Sequence, residues 1–118
     1  MRVRRLIHAA FLVTDLDRAK AFYGGVLGLE EKRRPDFDFP GAWYDLGECE
    51  LHLMVTSEPL PSAEERPRRD YHVAFQVDDL EAAKLALEGA GLQFRPSSSG
   101  RGSIFVRDPD GNLIELQK

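Results

Sequence analysis

Four side chains of this sequence are hard to explain by packing alone. His8, His52 and His72 each sit within an alternating apolar run, and Glu115 interrupts Leu113-Ile-Glu-Leu116. A carboxylate buried in such a strand is costly unless it is paired. Imidazoles and a carboxylate that converge with open coordination positions describe a site for one divalent transition metal, Fe, Mn, Ni, Co or Zn rather than Mg or Ca. For a single strand histidine the plainer reading is a satisfied side chain, so recurrence has to carry the argument.

The histidines do recur. Moved by 64 positions, the segment from Ile7 to Lys20 falls on the segment from Tyr71 to Lys84, with identity at His8/His72, Ala10/Ala74, Phe11/Phe75, Val13/Val77, Asp15/Asp79, Leu16/Leu80, Ala19/Ala83 and Lys20/Lys84. After a one-residue slip, a shift of 63 matches Gly28/Gly91, Leu29/Leu92, Asp45/Asp108 and Leu53/Leu116, and sets His52 against Glu115. Equivalent positions in two stacked repeats become related by a pseudo-twofold axis, so four such groups are expected to meet at one point.

The elements that must position them follow from periodicity. Ile7, Ala9, Phe11 and Val13 alternate with Leu6, His8, Ala10 and Leu12, and Val73, Phe75 and Val77 alternate with His72, Ala74 and Gln76, which predicts a strand opening each half. Asp15 and Asp79 stand at N-cap positions of helices with apolar stripes Leu16, Ala19, Tyr23 and Leu80, Ala83, Leu87. In the second helix Asp78 with Glu81 also reads as a capping box, and Gly89 as the C-terminal stop. Three strands are expected after each helix: about 29–34, 42–46 and 49–55, then 92–96, 103–107 and 112–117, the last two joined by the turn Asp108-Pro-Asp-Gly111. The unit is βαβββ, twice, in an α+β fold. Residues 56–70, with Pro59, Pro61 and Pro67 among charges, read as a linker between module one at about 1–55 and module two at about 71–118. On the last strands His52 and Glu115 alternate with Leu51, Leu53, Ile114 and Leu116, so they too turn away from the helices.

Composition narrows the function classes. The chain has 118 residues, a size that favours one domain with the duplication inside it, and 42% hydrophobic with 31% charged residues suits a folded globular protein. Sixteen basic against twenty acidic residues leave −4 and no basic stripe, which argues against nucleic acid. Cys49 stands alone, so no internal disulfide or thiolate zinc site can form, in keeping with a cytoplasmic location. The basic, apolar N-terminus imitates a signal peptide, yet His8 lies at its centre and the segment recurs mid-chain; no run is long enough to span a membrane.

The segment Leu6-Ile-His8 through Asp15-Leu-Asp-Arg-Ala-Lys-Ala-Phe-Tyr-Gly-Gly-Val-Leu-Gly-Leu29, with Phe105-Val-Arg-Asp-Pro-Asp-Gly-Asn-Leu-Ile-Glu115, resembles the vicinal oxygen chelate superfamily of glyoxalases, bleomycin-resistance proteins and dioxygenases over essentially the whole chain. The resemblance implies two βαβββ modules forming a cupped mixed sheet, with His8, His72 and Glu115 as metal ligands and His52 in the fourth slot. It implies bidentate binding of a small substrate through neighbouring oxygens, the metal acting as Lewis acid, with Glu115 as ligand and base. Glyoxalase I places a glutamate where this chain has His52, which leaves one carboxylate where a two-base proton shuttle would want a pair. Small relatives usually pair, so a homodimer is expected, with the site built within one chain or from two.

Three functions compete: a metal-dependent isomerase or lyase, an Fe(II) extradiol-type dioxygenase, and a non-catalytic antibiotic- or metabolite-binding protein. For substrate contacts, the cluster Phe37, Phe39, Trp43 and Tyr44 offers pocket walls, and Arg101 in Ser97-Ser-Ser-Gly-Arg-Gly-Ser103 an anion clamp on a lid. The plainer readings are core or interface aromatics and a simple hairpin loop.

Overall fold

A computed structural model describes residues 1–118. It divides into two compact units, Met1–Pro59 and Leu60–Lys118. In the first unit β1 (His8–Val13) leads into helix α1 (Leu16–Lys20), then β2 (Glu30–Lys32), β3 (Gly41–Asp45) and β4 (Glu50–Val55). The second unit repeats the plan with β5 (His72–Gln76), α2 (Leu80–Gly89), β6 (Phe94–Pro96), β7 (Ile104–Arg107) and β8 (Leu113–Gln117). Each unit carries its own mixed sheet of four strands, ordered β1-β4-β3-β2 and β5-β8-β7-β6. In both, the first strand runs parallel to the last and the remaining pairs are antiparallel. A parallel pair needs a long crossover, and the helix with two strands supplies it.

Alternation sorts the side chains as expected. On the helix side of the first sheet lie Val13, Ala42, Tyr44, Leu51 and Leu53, all buried, beneath Ala19, Phe22 and Tyr23. Phe22 meets Tyr23 edge-on at 4.9 Å. The turn after α1 widens into a π-helix over Ala21–Val26, and this brings two consecutive aromatics inside where a regular helix would turn one of them outward. In the second unit Phe75, Leu87, Ile104, Val106, Ile114 and Leu116 form the corresponding core.

Local details depart from the sequence reading in three places. Both helices are capped as expected, Asp15 Oδ1 accepting from the Arg18 amide and Asp79 Oδ1 from the Ala82 amide. The Asp78/Glu81 capping box does not form, because the N-cap is Asp79, one residue further on, and Glu81 pairs with Lys84 instead. Helix α2 does end at Gly89, but the left-handed residue that reverses the chain is Gly91, at φ 73°, which closes Gly91 N–H onto Glu88 O and Leu92 N–H onto Leu87 O. The presumed linker holds a 3₁₀ turn, Ala63–Glu65, with a complete capping box between Ser62 and Glu65.

Pairing also corrects the repeat. Asp45 stands opposite Glu50, while Arg107 stands opposite Leu113, so the structural equivalent of Asp45 is Arg107 and not Asp108. The β7–β8 connection, residues 108–112, is one residue longer than the β3–β4 connection, residues 46–49. The extra length accommodates a buried turn in which Asp108 Oδ1 accepts from the Asp110 and Asn112 amides and Oδ2 from the Asn112 side chain.

Candidate functional site

The face of each sheet turned away from its helix carries the predicted residues. In the first unit Trp43 is paired with His52 across β3 and β4, and His52 lies diagonally from His8 on β1. Their rings form one stack: Trp43 on His52 at 4.1 Å and 3°, and His52 on His8 at 4.1 Å and 14°. Lys32 and Glu50 flank the stack. Glu50 Oε1 meets His52 Nε2 at 2.9 Å, and its other oxygen accepts from Lys32. These two hydrogen bonds, that of His52 first, hold the Glu50 carboxyl below the usual carboxylate range, and Glu50 in turn raises the Lys32 ammonium. As a metal donor His52 therefore has to compete with Glu50 for its own Nε2. His8 is exposed and has no such competitor.

In the second unit His72 Nε2 faces Glu115 Oε2 at 3.3 Å, across a register that puts Ala74 and Phe105 on either side of Glu115. His72 Nδ1 lies 3.0 Å from the carbonyl of Asp70. A carbonyl only accepts, so Nδ1 donates to it, which leaves Nε2 opposite the carboxylate. That opposition is satisfied by a proton or by a cation held between the two. Phe105 braces the imidazole edge-on at 5.2 Å. Asp70 is itself anchored by Arg107, 2.9 Å away, which holds its carboxyl below the usual range.

Glu115 is 2% exposed, and its two oxygens play different parts. Oε1 accepts from Ser103 Oγ at 2.7 Å and from Arg101 Nη2 at 3.2 Å, while Oε2 is turned to His72. Ser103 is as buried as Glu115, at 1%. Sequence reasoning missed Ser103, Glu50 and Asp70. Period-two spacing from Phe105 and from His52 places Ser103 and Glu50 on the site face, but nothing in the sequence says which strand lies beside them.

The substrate-facing expectations fare unevenly. Trp43 is half-buried in the stack, with Phe37 6.1 Å away and Phe37 stacked on Phe39. Tyr44 is placed otherwise: adjacent strand residues face opposite sides, so it sits in the core with its ring 6.3 Å from Tyr23 and its hydroxyl unpartnered, and burial raises its pKa. Arg101 lies in the expected loop, between Gly100 and Gly102 at φ 77° and 78°, but its guanidinium is engaged with Glu115 and Ser99.

These donors fit a divalent metal. An imidazole nitrogen and a carboxylate oxygen of suitable chemistry face each other, the other imidazole nitrogen is fixed by a backbone carbonyl, and the carboxylate is oriented from behind by a hydroxyl and a guanidinium, the supports that metal ligands characteristically have. Neither unit by itself gathers three His, Cys, Asp or Glu side chains at one point.

Residues 5–116 match the model of the Glyoxalase/Bleomycin resistance protein/Dioxygenase superfamily, and the chain belongs to that family. It is 31% identical to a lactoylglutathione lyase of Haemophilus influenzae, over 95% of this chain and 90% of the relative. It is 27% identical to the mitochondrial methylmalonyl-CoA epimerase of Bos taurus, over 97% of this chain and 74% of that one. Among solved structures, a glyoxalase family protein from Bacillus anthracis superposes with a TM-score of 0.82 at 27% identity, covering 98% of this chain and 97% of its own. The fold is also that of a fosfomycin resistance protein from Listeria monocytogenes, TM-score 0.79 at 21% identity over 98% of this chain and 93% of that one, solved with Mn(II) and a dihydroxypropylphosphonic acid.

Proposed function

We propose that the protein is a metal-dependent enzyme acting on a small molecule, in which His8, His72 and Glu115 hold one divalent transition metal with His52 as a fourth donor, and that its chemistry is that of an isomerase or lyase on a substrate bound through neighbouring oxygens. The observation that carries the reading is the His72–Glu115 pair, an imidazole nitrogen and a carboxylate oxygen 3.3 Å apart, each fixed from behind. Membership of the family and the likeness to a lactoylglutathione lyase and a methylmalonyl-CoA epimerase support the same chemistry. A three-donor site then has to draw on both kinds of unit, from one chain or from two copies in a homodimer. The edge position of β1, with exposed Leu12 on it, favours an assembly that covers this strand. The two units function as halves of one domain, and the lone Cys49 suits the cytoplasm.

When bound, the metal supplies Lewis-acid stabilisation of negative charge developing on a substrate oxygen. The remaining work falls to the chain. Ser103 and Arg101 hold Oε1 of Glu115, so Oε2 is the oxygen presented to ligand and substrate and the atom that takes up a proton. His52, in the position equivalent to Glu115, makes the site one with a single carboxylate base. Trp43 and Arg101 border the substrate, Trp43 by its indole face and Arg101 once released from Glu115.

The test is metal analysis. After loading with Mn, Zn or Fe and exhaustive dialysis, the protein should retain one metal per site, and Glu115→Gln and His72→Ala should each lower the affinity at least 100-fold; retention of no transition metal by the wild type rejects the proposal. The two-histidine, one-carboxylate set also favours a second reading, an Fe(II) extradiol-type dioxygenase. Oxygen consumption by the iron-loaded protein with a panel of catechols decides between them.

A further inference from the structure

Beside His72 in the second unit lies a cavity of about 490 Å³, within the range of small-molecule sites. Its walls include Arg68, Arg69 and Arg95, and its floor Phe105, Leu113 and the imidazole of His72. Arg95 lies over the Phe105 ring at 4.9 Å and is steadied by a hydrogen bond to the Arg68 carbonyl, so its charge is held in place without being neutralised. No carboxylate pairs with Arg68, Arg69 or Arg95. The one acidic group on the wall, Asp70, is committed to Arg107 at 2.9 Å, and Glu115 to Ser103, Arg101 and His72. Three uncompensated guanidiniums around one cavity are not general basicity, because the chain as a whole carries −4.

We infer that this cavity is an oxyanion subsite, and that the substrate of the proposed site carries a phosphate, phosphonate or carboxylate group whose oxygens are bound by Arg68, Arg69 and Arg95 while an apolar part rests on Phe105 and Leu113. Guanidinium forks match such groups in charge and in hydrogen-bond geometry. His72 borders the cavity, so a ligand seated there has its anion on the arginines and its remaining atoms at the His72–Glu115 pair. The inference rests on the proposed function for the meaning of that proximity, but anion binding itself does not require the metal.

Binding is therefore measured on metal-free protein, by calorimetry and by phosphorus line broadening, with inorganic phosphate, methylphosphonate and lactate as separate probes. At least one probe should bind, and Arg95→Gln should weaken it about tenfold or more, as expected for loss of a charge-assisted hydrogen bond. The surface variant Arg68→Gln/Arg69→Gln, which leaves the Arg95 packing intact, should do the same; Arg2→Gln/Arg4→Gln, with equal charge removed elsewhere, should not. The probe that binds tells phosphate or phosphonate from carboxylate. Absence of binding by all three probes, or equal weakening in the control variant, overturns the inference. A separate Mn(II) titration keeps the two readings apart: failure to bind Mn(II) removes the proposed function and leaves the oxyanion subsite standing, and loss of anion binding with Mn(II) affinity intact does the reverse.

Discussion

Ser103→Ala isolates what holds Glu115 in place. The serine hydroxyl donates to Oε1 at 2.7 Å with both residues almost wholly buried, and a hydrogen bond to a charged acceptor is worth about 1.5–3 kcal/mol. The other donor, Arg101, cannot replace it, since its side chain is 59% exposed and such an ion pair contributes only about 0–1 kcal/mol. The expected loss is about 2 kcal/mol. For a chain of this length the unfolding entropy is roughly 0.25 kcal/mol/K, so Tm should fall by about 8 °C. The value belongs to the pair, and a double-mutant cycle shows it: in a Glu115→Gln background the same serine substitution should cost about 1 kcal/mol less, because a neutral amide accepts more weakly. Urea unfolding of the four proteins at neutral pH gives the coupling, and a Mn(II) titration of the single variant should show about 10–100-fold weaker binding, the range for loss of a ligand's supporting hydrogen bond. A stability change under 0.5 kcal/mol, or an identical cost in both backgrounds, would refute the reasoning.

Other outcomes follow from the same geometry. Glu50→Gln frees His52 from its strongest partner, so a metal site that uses His52 should bind Mn(II) more tightly in this variant, and unchanged affinity removes His52 from the donor set. Glu65 is held below the usual glutamate range by the Ser62 amide first and its hydroxyl second. A depressed carboxylate contributes stability that is complete above the unfolded pKa and lost as pH falls through the folded one, so the stability gap between wild type and Glu65→Gln should be constant at neutral pH and close in acid, as read by urea titrations at a series of pH values. Gly41→Ala should destabilise by about 1–3 kcal/mol, because its Cβ would lie 2.3 Å from the Leu53 carbonyl in the paired strand; an unchanged unfolding midpoint would contradict that close approach.

Much of the fold was legible because it depends on local rules. Period-two runs located all eight strands to within a few residues, aspartates marked both helix starts, and the duplicated His8 and His72 exposed the repeat before any coordinates. The candidate site was legible by residue type and strand face for the same reason: alternation alone sends His8, His52, His72 and Glu115 away from the helices. Alternation also placed Trp43 and Tyr44 on opposite faces, and the error with Tyr44 came from treating an aromatic cluster as one surface.

What depends on neighbours distant along the chain was not legible. The capping box failed because the helix takes Asp79 and not Asp78 as its N-cap, and Asp45 was matched to Asp108 because a longer buried turn shifts the true equivalent by one. A sequence names which side chains share a face, since that follows from bond geometry within one strand. It does not name the strand laid beside it, and so only tertiary pairing decided that Ser103 holds Glu115, that Lys32 meets Glu50, and that three arginines from two segments surround one cavity at His72.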